Sequence, residues 1–239
     1  AHSIFNIACT LILLPMSGLL EKLAYKLVPD TKLPENISQL DNRLLATPAL
    51  ALECAHNLTF EMAKVATDAL RNSIQCLSNY DKEKAQAIRA AEDETDHYED
   101  VIGSYLVKVS TKRLNDADGA TASMLLRVIG DFERISDHAV NILESAEEMR
   151  EKGIAFSDSA KSELDSLSEA ALEIISLSYR AFVDENAEQA TLVEPLEQVI
   201  DRPKELLRAR HIDRLRIGDC SIEAGFVWSD LITNMERVS

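Results

Sequence analysis

After about residue 46 the apolar positions recur at three and four, the period of a helix with one buried face. Thr47-Pro48 marks a helix start, an N-cap followed by Pro at the first helical position. Cys54, Leu58, Met62, Val65 and Ala69 carry the first stripe out to Leu77, and Ser78-Asn79-Tyr80-Asp81 breaks it. A second stripe runs through Ile88, Ala91, Thr95, Ile102, Leu106 and Val109 to a polar loop at 115–119. The third holds Leu125, Val128, Phe132, Ile135, Ala139 and Ile142 and closes at Gly153. A fourth helix is expected from about Asp158 to Val183. A fifth follows the turn Asp184-Glu185-Asn186, with Pro203 interrupting or kinking it. A sixth begins after Gly218-Asp219-Cys220-Ser221. Six long helices with short loops predict an all-α chain of two antiparallel three-helix bundles.

The start of the chain has a different pattern. No Asp, Glu, Lys or Arg occurs before Glu21, and residues 4–20 are mostly apolar. That length sits at the lower edge of the about 17–25 residues that span a bilayer. A membrane span, a buried core helix and a signal peptide compete for this run. Pro15 and Gly18 are better tolerated in a membrane helix. A signal peptide wants a basic start that Ala1-His2-Ser3 does not supply. Lys22, Lys26 and Lys32 follow closely, which under the positive-inside tendency places the rest in the cytoplasm. The segment Val28 to Asn36, with two prolines and no period, reads as a linker.

Composition narrows the function. Asp and Glu total 41 against 25 Lys and Arg, a formal charge of -16 in 239 residues. Such a surface repels phosphate backbones, which excludes nonspecific nucleic-acid binding and suits cations or basic partners. Gly and Pro are scarce, at 7 and 6, and strands need the turns those residues make, so an all-β fold is excluded. Cys9, Cys54, Cys76 and Cys220 share no CxxC-like spacing and read as reduced thiols without a thiolate zinc site. No Walker-type loop, GxGxxG, HExxH or GxSxG is present.

The candidate chemistry lies in acidic pairs. Glu92 and Asp96 are four apart and share a helix face, within a run where Glu92, Asp93, Glu94, Asp96, Glu99 and Asp100 are all acidic. Glu133 and Asp137 repeat the spacing in the third helix, and Glu197 and Asp201 in the fifth. Chance alone gives about seven such pairs in a chain this acidic, the bland expectation for solvated faces. Their register is less bland. Met235-Glu236-Arg237-Val238-Ser239 repeats the pattern of Phe132-Glu133-Arg134-Ile135-Ser136. Glu236 follows Glu197 at nearly the distance by which Glu133 follows Glu92, which indicates a duplicated helical unit. Two carboxylates on each of two adjacent helices suit hard cations such as Mg, Mn or Fe. On a helical wheel Glu92 and Asp96 edge their apolar stripe, while Glu133 and Asp137 fall nearly opposite the core-facing residues. A site built from them is therefore expected on the bundle surface, open to solvent. Glu94-Thr95-Asp96-His97 has the ExxH spacing of di-iron bundles, but only one copy occurs. His97 and His138 are expected to cap, pack or be solvated. His56 and His211 have no partner at ligand spacing, and Trp228 with the scattered Tyr and Phe is expected in the core.

These residues resemble a PhoU-type helical domain joined to a bacterial sodium/phosphate cotransporter. The run Glu133-Arg-Ile-Ser-Asp-His-Ala-Val-Asn-Ile142 and the Glu-x-x-x-Asp pairs resemble the PhoU repeat. Leu40-Asp-Asn-Arg-Leu-Leu-Ala-Thr-Pro-Ala49 resembles the junction before that domain. Ala1-His-Ser-Ile-Phe-Asn6 with its apolar run resembles the end of the membrane part. The resemblance implies the last transmembrane helix in 1–30, a linker at 31–46, a first repeat at 47–153 and a second, truncated repeat at 154–239. It implies a non-enzymatic regulator of phosphate uptake at the inner membrane, with its helical domain in the cytoplasm. The transporter's membrane domain is the implied partner, a dimer is compatible, and sodium and phosphate belong to a transport core this sequence lacks. It also implies multinuclear clusters of Mg, Mn, Fe or Zn. Glu92, Asp96, Glu133 and Asp137 would form the first metal face, and Glu197, Asp201 and Glu236 the second. Two departures weaken the second face: the sequence ends at Ser239, where the last motif's Asp is expected, and Pro203 follows Asp201 closely. A carboxylate-bridged di-metal enzyme and a metal-free scaffold are the alternatives.

Overall fold

A computed structural model describes residues 40–239 of the chain, except for the side chains of residue 199 and residues 201–205. The apolar run at 4–20 and most of the linker lie outside the described residues. Among the described residues no helix is long and apolar enough to cross a membrane. No strand occurs among them either.

The six long helices fall where the periodicity puts them. They are α1 (Pro48–Ser78), α2 (Lys82–Ser110), α3 (Asp116–Lys152), α4 (Asp158–Val183), α6 (Val193–Arg216) and α7 (Ile222–Val238). Local chemistry sets most boundaries. Asp81 caps α2 by accepting from the amides of Glu83 and Lys84 at 2.7 and 3.0 Å. Asn115 accepts from Asp118 N–H at 2.8 Å, Ser157 from Ala160 and Ser221 from Ala224. Gly153 ends α3 at φ 62°, the left-handed position a side chain disfavours.

Five local expectations fail. Thr47 precedes α1 but makes no side-chain cap, so the Pro at the first turn alone marks that start. The end of the expected linker folds into a 3-10 turn, Asn42–Ala46, because the Asp41 carboxylate accepts from Arg43 N–H and from its guanidinium. The polar stretch 115–119 is not a loop: after its Asn115 cap it is already the first turn of α3, whose dipole favours Asp116 and Asp118 there. Past Asn186 a separate four-residue helix, α5 (Ala187–Ala190), precedes α6. Pro203 does not break α6, which continues to Arg216.

Helices α1, α2 and α3 pack against one another, as do α4, α6 and α7. The two sets meet where α3 contacts α7 and α1 contacts α4. Ala51, Ala55, Ala63, Ala66 and Ala69 line the buried face of α1, and such small side chains let helices lie close. Buried Thr59, Thr67 and Ser73 stay satisfied by donating to Ala55, Ala63 and Leu70 carbonyls of their own helix. One apolar core runs through both sets, from Leu70 and Ile88 through Ile142 and Leu143 to Ile174, Leu231 and Met235. Trp228, 1% exposed, sits in it with Phe156 edge-on at 5.3 Å. Phe226 does not follow the other aromatics inward: it is 68% exposed. Cys54, Cys76 and Cys220 are free thiols.

Candidate metal centre

The first acidic set is brought together where α2 packs on α3. Glu92 and Glu99 on α2 and Glu133 and Asp137 on α3 are half-buried, and Asp96 is exposed. The set thus keeps part of its surface open to solvent rather than forming a sealed interior cluster, with α3 packed against α1, α2 and α7.

Electrostatics show how close the carboxylates are. Burial pushes Glu133 up to about 7, and the nearby charges of Asp137, Glu99 and Asp96 push the same way. Its proton is also held in a hydrogen bond with Asp137. Glu92 is raised as well, by burial first and then by Asp93, Asp137 and Asp96. Neighbouring acids that hold a carboxyl above its usual pKa mark a site short of positive charge. The sequence-nearest arginines are committed elsewhere, Arg134 to Asp131 at 3.3 Å and Arg89 to Glu147 at 2.7 Å.

Glu99 was not among the expected site residues. Its carboxylate lies over Gly130 on α3, where an added Cβ would meet the Glu99 Oε1 at 3.4 Å. The signal was present: Glu99 continues the Glu92–Asp96 stripe one turn on, and Gly130 lies one turn before Glu133. What hid it was the run of acids around it, which reads equally as a solvated face.

An all-oxygen donor set with no thiolate suits a hard cation. Yet among the described residues no group of three or more His, Cys, Asp or Glu side chains is gathered as a metal would need. Of the second set, Glu197 is exposed on α6 and Glu236 is half-buried on α7, and the Asp201 side chain lies outside the described residues. His138 does not face a metal set but meets Asn234 of α7, Nδ1 to Oδ1, at 2.9 Å. His97 is half-buried with Nε2 unpartnered. His211 is buried, its ring stacked on Trp228 at 6.0 Å and crowded by Gly225, where a Cβ would meet Nε2 at 2.7 Å.

The family model of the PhoU domain matches this part of the chain. It covers residues 59–146, which include both halves of the α2–α3 carboxylate set. A curated relative, the phosphate-specific transport system accessory protein PhoU homolog 1 of Thermotoga maritima, is 29% identical over 114 residues. That alignment takes in 48% of each protein, so the chain spans about half the length of the curated relative it matches. The fold resembles the crystal structure of PhoU from Pseudomonas aeruginosa with a TM-score of 0.71 at 20% identity, over 78% of this chain and 89% of that one. The phosphate transport system regulatory protein PhoU from Streptococcus pneumoniae gives 0.70 at 17% identity, over 80% and 89%. The described fold is thus all-helical and PhoU-like.

The raised Glu133 sets a pH dependence. Its folded pKa lies above the unfolded value, so the folded state binds the extra proton between about 4.5 and 7. The stability tied to that proton is full below the unfolded pKa and is lost as pH rises through about 7. Metal-free protein is expected to lose on the order of 1 kcal/mol by this route between pH 5 and 8, after allowance for solvent screening. Urea titrations of the parent and Glu133→Gln across that range should show the loss in the parent only. Equal pH slopes would mean that the groove is open enough for Glu133 to ionise freely.

Proposed function

We propose that this chain is a non-catalytic PhoU-like regulatory domain of a phosphate-transport system, with a cation-binding carboxylate groove between α2 and α3. The observation that carries the reading is the PhoU-domain match over 59–146 together with the convergence of Glu92, Asp96, Glu133 and Asp137 inside it. Glu99 joins that set. The bound species is a divalent or trivalent ion, Mg, Mn, Fe or Zn, and it would offset the crowded negative charge. Glu197, Asp201 and Glu236 form the matching, less complete set of a second repeat, 154–239, duplicated from the first at 47–153.

The chain's first segment extends this proposal. Residues 4–20 span a membrane as the end of a sodium/phosphate cotransporter's transport part, so the helical domain works at the inner membrane on its cytoplasmic side. The transporter is then the partner, and the domain adjusts uptake rather than moving phosphate. Deleting residues 1–30 should leave a soluble, folded helical domain; unfolding of the bundles would mean that the run is core.

The di-metal enzyme alternative loses ground on one observation. Glu94, the acid of the lone ExxH, hydrogen-bonds Tyr98, which is 2% exposed and pushed up to about 12 by burial and by Glu94 and Glu61. Glu94 is thereby engaged toward α1 rather than in the α2–α3 groove. The metal-free scaffold is decided by metal content. The functional test is radiolabelled phosphate uptake in cells whose chromosomal copy carries Asp96→Asn and Asp137→Asn. Uptake in phosphate-replete cells should depart from the parent. Uptake unchanged by the double substitution and by deletion of the domain would reject the regulatory reading.

A further inference from the structure

After its first twenty residues the chain's longest stretch without an acid lies at the end of its second long helix. From Val101 to Asn115 there is no Asp or Glu, while Lys108, Lys112 and Arg113 are basic. All three are exposed, at the end of α2 and in the turn leading to α3. The fold brings a second stretch of low acidity, Asn42 to Leu52, to the same place. Lys112 and Arg113 line one open depression with Arg43, Leu45 and Pro48. Tyr105 ties the two stretches together by donating its hydroxyl to the Asp41 carbonyl at 3.1 Å. Two apolar side chains near the helix ends stand outward here, Leu50 at 42% and Val107 at 57% exposed. The acids at this end are Asp41, Asp116, Asp118 and the exposed Glu53 one turn past Leu50. Asp41 holds Arg43, Asp118 accepts from Asn115, and Asp116 sits in the first turn of α3.

We propose that this tip, built from Arg43, Leu50, Val107, Lys108, Lys112 and Arg113, is a docking surface for an anionic lipid bilayer. The inference rests on the reading of residues 4–20 as a membrane span. Basic side chains among outward apolar ones are the chemistry that anionic headgroups attract, each cation adding to the attraction within a Debye length of the surface. The tip is also where the described domain joins the preceding segment, so a tethered domain presents it at high effective concentration. The chain as a whole carries -16, so its acidic faces would be repelled by the same bilayer. Docking by this end fixes how the helical domain stands on the membrane.

The test uses the full chain with vesicles of phosphatidylcholine alone or with one-third phosphatidylglycerol. Binding to neutral vesicles reports the 4–20 span, and its absence sinks the membrane reading by itself. The added binding on anionic vesicles reports the tip. It should fall on the order of a hundredfold in Lys108→Gln/Lys112→Gln/Arg113→Gln, a factor of about five for each cation, and should vanish at high salt. Val107→Trp should be quenched by brominated phosphatidylglycerol and Phe226→Trp, on the exposed start of α7, should not. An anionic increment that survives the triple substitution overturns the proposal, as does quenching at 226 in place of 107. So does loss of the increment to millimolar inorganic phosphate, which would mark a free-anion site instead.

Discussion

Stripping cations with a chelator should lower the melting temperature of the protein, and Mn or Fe should restore it. The groove between α2 and α3 holds Glu92, Asp96, Glu99, Glu133 and Asp137 within reach of one another's charge. Without a cation, burial and the neighbouring acids favour the protonated form of Glu133, which relieves part of that repulsion. A divalent ion can displace the proton and reverse the sign of the interaction. An ion that binds only the folded chain stabilises it by about 2.7 kcal/mol at a hundredfold excess over its Kd. For a chain of this size that is roughly 5–10 °C. Asp96→Asn with Asp137→Asn should remove most of the response, since each exchange deletes a charge and nearly keeps the shape. The scaffold alternative expects the reverse: in a chain at -16, neutralising two acids is neutral or mildly stabilising, with no metal dependence. Elemental analysis that finds no bound metal, with a melting curve indifferent to chelator, rejects the metal site.

Periodicity located the helices because each has one strong apolar stripe and most have a capping side chain at the boundary. Where local side-chain bonding competes with pattern, the reading failed. Asp41 with Arg43 makes a 3-10 turn out of a stretch with no period. Asn115 starts a helix where polar residues suggested a loop. The carboxylate set was legible as spacing and repetition, but its setting was not. A wheel treats each helix alone, whereas α3 packs against α1, α2 and α7 at once. That is why Glu133, placed nearly opposite the core-facing residues, is half-buried and holds its proton to about 7. Glu99 needed Gly130, a contact between helices that no single-helix pattern contains. The same holds for His211 and Arg214, which look like surface residues in a basic stretch of α6 yet are 6% and 7% exposed.

Glu163→Gln should be among the most damaging single substitutions in the second helix set. Arg214 of α6 is buried, and its Nη1 donates to Glu163 Oε2 of α4 at 2.9 Å. Its Nε and Nη2 have no protein partner, and its guanidinium lies over the Trp228 ring at 5.1 Å. Burial, then the Arg214 charge, holds the neighbouring His211 below its usual pKa, so no other cation shares the burden there. Glu163 is thus the carboxylate that answers a charge with little water around it. Glu163 also binds the exposed Arg210 at 3.1 Å, so its loss releases two links between α4 and α6. Removing one partner of a buried pair costs about 3–5 kcal/mol, because the other charge stays buried and uncompensated. An exposed pair such as Arg71 with Asp68, each about half exposed, should cost less than about 1 kcal/mol when neutralised. Urea denaturation of the parent, Glu163→Gln and Asp68→Asn separates the two. Replacing Glu163 and Arg214 together by Met should recover much of the loss, since the penalty lies in the stranded charge rather than in a missing contact. A Glu163→Gln protein within about 1 kcal/mol of the parent would mean that water or the α6 C-terminal carbonyls already satisfy Arg214.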